Sequence, residues 1–354
     1  MAETISIHID RFMELAEKYP VYDARTLDEF QRGHIPGAIN LPLFSDEERA
    51  QIGTTYVRKG RDTAILEGLD VVGPKMRRLV ESVRETASGN TILLHCWRGG
   101  MRSGSLAWLL CFCGFSVYLL EGGYKAFRQY VLAAFEMPRW TLILSGATGA
   151  GKTEILQNLA ASGEQVIDLE KCACHKGSSF GRLGEPDPPS QQHFENILGV
   201  QWRKSNPEIP LWLEDESQKI GTRIIPRALW RQIRNSPVIY VKMDARLRTE
   251  RLLKDYGDFS RTELREATER LKRRLGGLQT QAALNAIAED NLKKCVEILL
   301  SQYYDKTYLF GLSKRDPLLI HPLETNTPDA TENARQVLRF SRTLSERLQI
   351  QTAG

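Results

Sequence analysis

The chain has 354 residues, of which 42% are hydrophobic and 26% are charged. This length exceeds one ordinary hydrophobic core, so we expect two or three domains and exclude a small disulfide-stapled scaffold. The composition also excludes collagenous, coiled-coil and disordered proteins. No basic stretch followed by an apolar one opens the chain, and the longest apolar run, 106–120, is shorter than the roughly 20 residues of a membrane span. We expect a cytoplasmic protein with reduced cysteines and no membrane partner.

Positive charge is concentrated in one segment. The net charge is +4, yet residues 223–274 hold 15 lysines and arginines against 7 acidic residues. Such a segment is typical of a surface that faces a polyanion such as nucleic acid, and equally of a solvated helical face. Charge alone leaves both interpretations open.

The first 135 residues alternate short apolar runs with helical periodicity, the pattern of a parallel sheet flanked by helices. The predicted strands are 20–24, 90–96 and 115–123, and helices begin near Thr26 and Ser103. Pro138 follows a helix that ends near Phe135, and a new apolar run begins at once. We therefore predict a first domain over residues 1–137.

The second half continues the α/β pattern. The predicted strands are 141–146, 165–170, 211–217 and 237–244. They define a second α/β domain over 138–245. Residues 246–354 form a basic, helical C-terminal region, with helical periodicity to about Leu312 and one last helix over 331–348.

Cys96 ends an apolar strand and precedes the segment Trp-Arg-Gly-Gly-Met-Arg-Ser, after which a helix begins. This places its sulfur at the carboxyl edge of a parallel sheet and at a helix N-terminus. Gly99 and Gly100 permit a tight turn, while Arg98 and Arg102 add positive charge that favours a thiolate. The loop suits an anionic nucleophile and its anionic adducts.

The segment 22–43, the Cys96 loop and the segment 120–127 together resemble a rhodanese domain. In that family the loop cysteine carries sulfur as a persulfide, and Asp23 and Arg25 match the motif that braces the fold. Five residues separate Cys96 from Arg102, whereas the common single-domain loop has four. A Cys-x5-Arg loop also occurs in phosphatases of related fold, so a wider anion pocket and a phosphatase activity both stay open.

The second domain opens with a phosphate-binding motif. Gly146-Ala-Thr-Gly149-Ala-Gly151-Lys152-Thr153 lies between a predicted strand and a helix, as the G-x-x-x-x-G-K-[ST] pattern requires. Backbone N–H groups of such a loop hold phosphate oxygens, the lysine neutralises them, and the threonine hydroxyl can bind Mg²⁺. The motif recognises a di- or triphosphate and does not identify the group attached to it.

Two further groups could complete this site. Within the acidic strand end 214–216, Asp215 is the candidate second Mg²⁺ ligand beside Thr153; a solvated strand end is the alternative. In the loop after residue 168, His175 and Arg182 are candidate contacts to a bound anion. Cys172, Cys174 and His175 do not make a convincing zinc site, because a fourth ligand is lacking.

The order of the motifs extends the resemblance to the whole chain. After the Cys96 loop and the phosphate motif come 168–181, 190–198, 211–221 and 271–279, with sequences DLEKCACHKGSSFG, SQQHFENIL, LWLEDESQKIG and LKRRLGGLQ. Together they resemble the tRNA 2-selenouridine synthase family, up to about residue 309. Lys176 stands where that family has an arginine.

This resemblance implies a substrate and roles for both sites. The family replaces sulfur by selenium at wobble 2-thiouridine of tRNA, with selenophosphate as donor, and geranylates that sulfur from geranyl diphosphate. Cys96 would take selenium as a selanylcysteine, with Arg98 and Arg102 around the anion. Residues 146–153, with His175 and Arg182, would hold the diphosphate. Lys272, Arg273 and Arg274 would contact tRNA phosphates.

The resemblance implies no tightly bound cofactor and leaves open whether Mg²⁺ is used. An enzyme that supplies selenophosphate is a candidate partner. Two other readings remain: an ATP-dependent tRNA sulfurtransferase, and a phosphatase-type rhodanese fused to an RNA-binding P-loop protein. An apolar prenyl pocket is not evident from the sequence.

Overall fold

The computed structural model describes residues 3–176, 184–257 and 259–352. The chain divides into two compact units. The first comprises residues up to 134 together with 189–200, and the second comprises 135–188 and everything from 201 onward. The sequence analysis predicted one boundary at 137 and did not place 189–200 with the first unit.

A five-stranded parallel sheet forms the centre of the first unit. Its strands are β1 Thr4–Ile7, β2 Val21–Asp23, β3 Ile39–Asn40, β4 Thr91–His95 and β5 Ser116–Leu120. They lie in the order β1-β5-β4-β2-β3. Ile92, Leu93 and Leu94 are fully buried, as expected of a central strand covered on both faces.

Helices cover this sheet. They are α1 Ile9–Leu15, α2 Leu27–Arg32, α3 Asp46–Lys59, α4 Arg61–Val72, α5 Met76–Thr86, α6 Met101–Phe112 and α7 Gly123–Ala134. Reciprocal capping fixes where α2 begins, because the Thr26 hydroxyl accepts from the Glu29 amide while the Glu29 carboxylate accepts from the Thr26 amide. Ser45 and Glu48 begin α3 in the same way.

A buried ion pair supports the end of β2. Arg25 and Asp23 are 1% and 0% exposed, and the Arg25 Nη2 atom lies 2.6 Å from the Asp23 carboxylate. The same nitrogen donates to the Gly33 carbonyl, and the guanidinium lies 3.7 Å from the centre of the Tyr124 ring. Burial acts to raise the pKa of Asp23, but His95 and Arg25 outweigh it and the pKa is lowered. The carboxylate is therefore charged.

The segment 189–200 belongs to the first unit because of buried polar contacts. It contains the first ten residues of the helix Gln191–Lys204. Asn196 is fully buried, and its amide donates to the Tyr124 hydroxyl at 2.7 Å and to the His34 carbonyl at 2.8 Å. Arg128 donates to the Asn196 side chain and lies 2.6 Å from Glu195. Without this segment, buried groups of the first unit would lose their partners.

The second unit contains another five-stranded parallel sheet. Its strands are Thr141–Gly146, Gln165–Ile167, Leu211–Glu214, Val238–Met243 and Ile320–Thr325, here named βA, βB, βC, βD and βE. They lie in the order βE-βD-βA-βC-βB. A separate antiparallel pair joins Lys219–Ile220 to Arg223–Ile224. The predicted α/β class is confirmed for both units.

Helices surround this sheet and form most of the C-terminal region. In chain order they are Lys152–Ala161, Leu169–Ala173, Arg227–Arg234, Ala245–Tyr256, Arg261–Arg270, Lys272–Leu275, Gly277–Ala288, Leu292–Leu299, Asp305–Leu312 and Ala330–Thr352. A π-helical segment, Leu300–Tyr304, joins two of them. None of the described helices is long and apolar enough to cross a membrane.

The C-terminal region is mostly helical, as predicted, but it also contains strand βE, which the sequence analysis did not predict. Strand βE pairs with βD from Val238↔Ile320 to Met243↔Thr325. Pro322 interrupts the hydrophobic pattern of strand βE, so the sequence did not reveal the strand. A proline is tolerated there because βE is an edge strand, where one side of the backbone needs no partner.

We predict that Asn196→Ala destabilises the first unit by about 2–4 kcal/mol, because it leaves buried hydrogen-bonding groups of Tyr124, His34 and Arg128 unpaired. Urea unfolding of the full chain measures this. Asn90→Ala, at an exposed position of the same unit, is the control and should change stability by less than about 0.5 kcal/mol. Equal stability of the two variants would contradict the role given to Asn196.

Candidate active sites

The Cys96 loop connects β4 to α6 and is held tightly. Cys96 is 3% exposed, and its Sγ atom accepts a hydrogen bond from the Ser103 hydroxyl at 3.1 Å. Gly123 has a φ of +60°, and a Cβ added there would lie 2.4 Å from the Cys96 carbonyl oxygen. The Tyr124 amide donates to that same oxygen at 2.8 Å. The start of α7 therefore fixes the backbone at Cys96, and Ser103 and Gly123 are site residues that sequence reasoning missed.

The two predicted cationic residues of this loop behave differently. Arg102 forms an ion pair with Glu29, with Nη1 2.6 Å from its carboxylate. Burial acts to raise the pKa of Glu29, but Arg102 outweighs it, so the pKa is lowered and the carboxylate is charged. The positive charge of Arg102 is thus paired with Glu29 in this structure, and its place around the anion stays a prediction. Arg98 is exposed and remains the candidate cation of the loop.

The phosphate motif forms the predicted loop between βA and the helix that begins at Lys152. Gly149 and Gly151 have φ values of +84° and +76°, in the region that favours glycine. A Cβ at Gly149 would lie 2.9 Å from the Arg248 carbonyl oxygen. The Lys152 ammonium donates to the Gly146 carbonyl at 3.2 Å, so it lies over the loop where a phosphate would bind. We call residues 146–153 the phosphate cradle.

Three carboxylates converge beside the cradle. Glu170, Glu214 and Glu216 each place an oxygen within 4.8 Å of the others, and the Thr153 hydroxyl donates to Glu170 at 3.1 Å. Glu214 is fully buried; one of its oxygens accepts from the Glu170 amide at 2.8 Å, and the other has no hydrogen-bond partner among the described residues. Burial, and then the neighbouring carboxylates, raise the pKa of Glu214, and they raise that of Glu216 to about 8. A cation with oxygen ligands such as Mg²⁺ fits this arrangement.

Asp215 does not belong to this group of three carboxylates, although it lines the same cavity as the cradle, and its role as a Mg²⁺ ligand stays a prediction. Its two carboxylate oxygens accept from Arg315 and from the Ser145 hydroxyl. The strand ends at Glu214, and the Glu216 amide donates to the Glu214 carbonyl at 3.1 Å, so the chain turns at Asp215.

A large cavity of about 970 Å³ surrounds the cradle. Several of its lining side chains are cationic: Lys152, Lys176, Arg234, Arg251, Arg274 and Lys314. Arg251 was not predicted; it pairs with Glu154, and its Nη2 atom would lie 2.6 Å from a Cβ at Gly151. Nothing local in the sequence distinguishes Arg251 from the other basic residues of its segment.

The remaining predicted residues are distributed around this cavity. Arg274 lines it and donates to the Tyr303 hydroxyl at 3.2 Å, whereas Lys272 and Arg273 are exposed. Among the described residues, Lys176 lines the cavity and His175 instead packs against Gly221. Arg182 lies outside the described residues.

The two cysteines near the cradle have raised thiol pKa values. Burial raises the pKa of the Cys172 thiol to about 12, and its sulfur accepts from the Gln201 amide at 3.5 Å. Burial also raises the pKa of Cys174. Both thiols are therefore neutral near pH 7 while no metal is bound.

A second, apolar cavity of about 60 Å³ adjoins the cradle. Four residues line both cavities: Thr148, Leu252, Tyr256 and Tyr304. Its other walls come from four helices and carry mostly aliphatic side chains, among them Leu253, Leu264, Ile287, Leu292, Val296 and Leu299. The anion-binding cradle therefore has an apolar neighbour, which the sequence did not reveal because the residues of its walls are far apart along the chain.

The fold and sites define a rhodanese-like domain joined to a P-loop α/β domain. Residues 9–130 match the model of the rhodanese-like domain, and residues 139–327 match that of the tRNA 2-selenouridine synthase AAA domain. The chain is 33% identical over 333 residues to the tRNA 2-selenouridine synthase of Cupriavidus pinatubonensis, covering 84% of this chain and 89% of the relative. It is 34% identical over 336 residues to that of Shewanella loihica, covering 85% and 89%.

The chain therefore belongs to the tRNA 2-selenouridine synthase family. Both relatives carry that name, and the match covers 89% of each of them. The family resemblance seen in the sequence is therefore confirmed. The chain is therefore an enzyme of this tRNA-modifying type.

We predict opposite effects of Glu214→Gln with and without Mg²⁺. Without the ion the variant should be more stable than the unsubstituted protein by about 1–3 kcal/mol, because one of three crowded, buried carboxylates is removed. With Mg²⁺ the unsubstituted protein should gain thermal stability and the variant should gain much less. Thermal unfolding over a Mg²⁺ series measures both effects.

Glu208→Gln, at an exposed position of the same unit, is the control and should respond to Mg²⁺ as the unsubstituted protein does. Equal responses of Glu214→Gln and Glu208→Gln would exclude a cation site at the three carboxylates.

Proposed function

We propose that this chain replaces sulfur by selenium at wobble 2-thiouridine of tRNA, using selenophosphate, and that it first geranylates the sulfur from geranyl diphosphate. The names of its relatives support the overall conversion. We infer the geranyl step from the apolar cavity, which shares lining residues with the cavity around the phosphate cradle.

A ligand with a diphosphate head and a hydrocarbon tail matches this pair of cavities. An isoprenoid chain gains about 25 cal/mol per Å² of apolar surface removed from water. A nucleoside in the same place would bury its polar base and ribose against side chains that are mostly aliphatic, and unpaired polar groups are costly to bury. At about 60 Å³ the cavity is smaller than a ten-carbon chain, so the lining side chains must move apart to admit it.

The first step is a displacement at the C1 carbon of the geranyl group. The uridine sulfur forms the new C–S bond, the C–O bond to diphosphate breaks with its electron pair, and the proton on N3 of the base is lost. Lys152 and Arg251 line the cradle cavity and would stabilise charge on the departing diphosphate. When bound at the carboxylates beside Thr153, Mg²⁺ would supply further positive charge.

In the second step selenium replaces the geranylated sulfur. Hydrolysis of selenophosphate gives phosphate and hydroselenide; hydroselenide forms a bond to C2 of the base, and geranylthiol leaves. We assign the handling of selenophosphate to the Cys96 loop, because α6 begins there and the first N–H groups of a helix bind anions. Arg98 is the nearby cation, and Cys96 would contact the bound selenophosphate. A selanylcysteine at Cys96 would need a two-electron oxidant that this step does not supply, so selenium is passed on as hydroselenide.

We predict that the two sites fail at different steps. With 2-thiouridine tRNA, geranyl diphosphate and selenophosphate, Cys96→Ala should accumulate geranylated nucleoside with at least a tenfold loss of 2-selenouridine. Lys152→Ala should lose both products, because the diphosphate is no longer held. Mass spectrometry of the wobble nucleoside measures these amounts, and Cys113→Ala, at a half-buried cysteine of the same unit, is the control.

If the unsubstituted protein forms neither product, the proposed function is wrong. Hydrolysis of ATP stimulated by tRNA, with no need for geranyl diphosphate, would support the ATP-dependent sulfurtransferase instead. Release of phosphate that depends on Cys96 but not on tRNA would support the phosphatase.

We predict that filling the apolar cavity selectively weakens binding of the prenyl donor. Val296→Phe adds a ring to the cavity wall and should raise the KM for geranyl diphosphate at least tenfold. Inhibition by inorganic diphosphate should be unchanged, because the cradle is intact. Ile298→Phe, on the same helix but outside the cavity lining, is the control, and an equal rise in KM for both variants would remove the cavity from the donor site.

A further inference from the structure

The helix Asp305–Leu312 presents an aromatic ring to solvent beside the cradle cavity. Phe310 is 63% exposed, whereas Tyr308, two positions earlier, is largely buried and bonded through its hydroxyl to Ser145 at 2.6 Å. The helix is therefore anchored by one aromatic residue and exposes another. A large exposed apolar side chain at the rim of a site often marks a contact surface.

A lysine lies against this ring. The Lys314 ammonium is 4.1 Å from the centre of the Phe310 ring, the geometry of a cation–π contact. The ammonium lies over the ring, and Phe310 as a whole stays 63% exposed, so the ring is accessible to a planar ligand. Such a ring and cation together suit a base and its phosphate, because the base stacks while the cation attracts the backbone.

The position of the pair connects it to the candidate active site. Gly311, Leu312 and Lys314 line the same cavity as the cradle, so Phe310 lies next to its rim. Arg234 and Arg274 are in the same lining, so an RNA strand that enters the cavity meets positive charge. This charge favours a polyanion over an apolar protein partner.

We propose that Phe310 and Lys314 form a stacking platform for one unpaired nucleotide of the tRNA, next to the base that enters the cradle cavity. The inference rests on the proposed function and deepens it. An unpaired nucleotide is required, because bases inside an RNA duplex do not offer a free face. The platform adds Phe310 to the predicted basic residues as an RNA contact.

The test uses the full chain and a synthetic anticodon stem-loop RNA with 2-aminopurine beside the wobble 2-thiouridine. Stacking on Phe310 should quench the 2-aminopurine fluorescence. Phe310→Ala should relieve the quenching and weaken RNA binding at least about fivefold, while Phe310→Tyr should retain both. Phe112→Ala, at an aromatic residue that is 80% exposed in the other unit, is the control and should change neither.

Salt dependence separates the two members of the platform. Lys314→Ala should lower the slope of log affinity against log salt by about 0.7, the value for one phosphate of a single strand. Phe310→Ala should leave this slope unchanged, because a neutral ring releases no counterions.

The outcomes distinguish the platform from the function on which it rests. Suppose the unsubstituted protein binds and modifies the RNA, and Phe310→Ala shows the same fluorescence quenching and the same RNA affinity. The platform is then wrong and the function stands. If the unsubstituted protein does not bind the RNA, both are wrong. A change in sedimentation of Phe310→Ala with unchanged RNA binding would assign the ring to contact between copies and overturn the proposal.

Discussion

Both candidate sites depend on the parallel pairing of strands, because the carboxyl ends of parallel strands meet at one edge of a sheet. The Cys96 loop follows central strand β4, and the phosphate cradle follows central strand βA. In the second unit βC pairs with βA and βB, which brings the residues after these strands together. Thr153 reaches Glu170, and Glu170 reaches Glu214, across 17 and 44 positions of sequence. Sheet order therefore determines which carboxylates lie beside the cradle.

Buried arginines hold the loops that this sheet order creates. Arg248 is 6% exposed, pairs with Asp305 at 2.8 Å and donates to the Thr148 carbonyl of the cradle. Arg315 is 4% exposed and binds Asp215. Removing one partner of such a buried pair leaves an uncompensated charge and lowers the free energy of unfolding by about 3–5 kcal/mol. Asp305 also begins the helix that carries Phe310, so one ion pair connects the cradle loop to the proposed RNA contact.

Local patterns in the sequence predicted the parts of the fold and sites that are themselves local. The strand, the glycines and the nucleophile or lysine of each loop lie within 12 residues, so the Cys96 loop and the cradle were evident. The group formed by Glu170, Glu214 and Glu216 was not evident, because Glu170 follows a different strand from the other two. The segment 189–200 and strand βE also depend on distant partners, Tyr124 and βD, which no local pattern contains. The apolar cavity was hidden for the same reason.

The cradle alone cannot select its ligand, since backbone N–H groups and a lysine bind any diphosphate. Selection has to come from the helices after residue 245, which supply the apolar cavity and part of the cationic lining. The π-helical segment Leu300–Tyr304 lies where these two surfaces meet: Tyr304 lines both cavities, and Tyr303 lines the cradle cavity and accepts a hydrogen bond from Arg274. An extra residue in a helical turn shifts the side chains that follow it. A hydrocarbon chain that moves Tyr304 would therefore act on the segment that also positions Arg274, so the tail of a ligand could affect the cationic lining around its head.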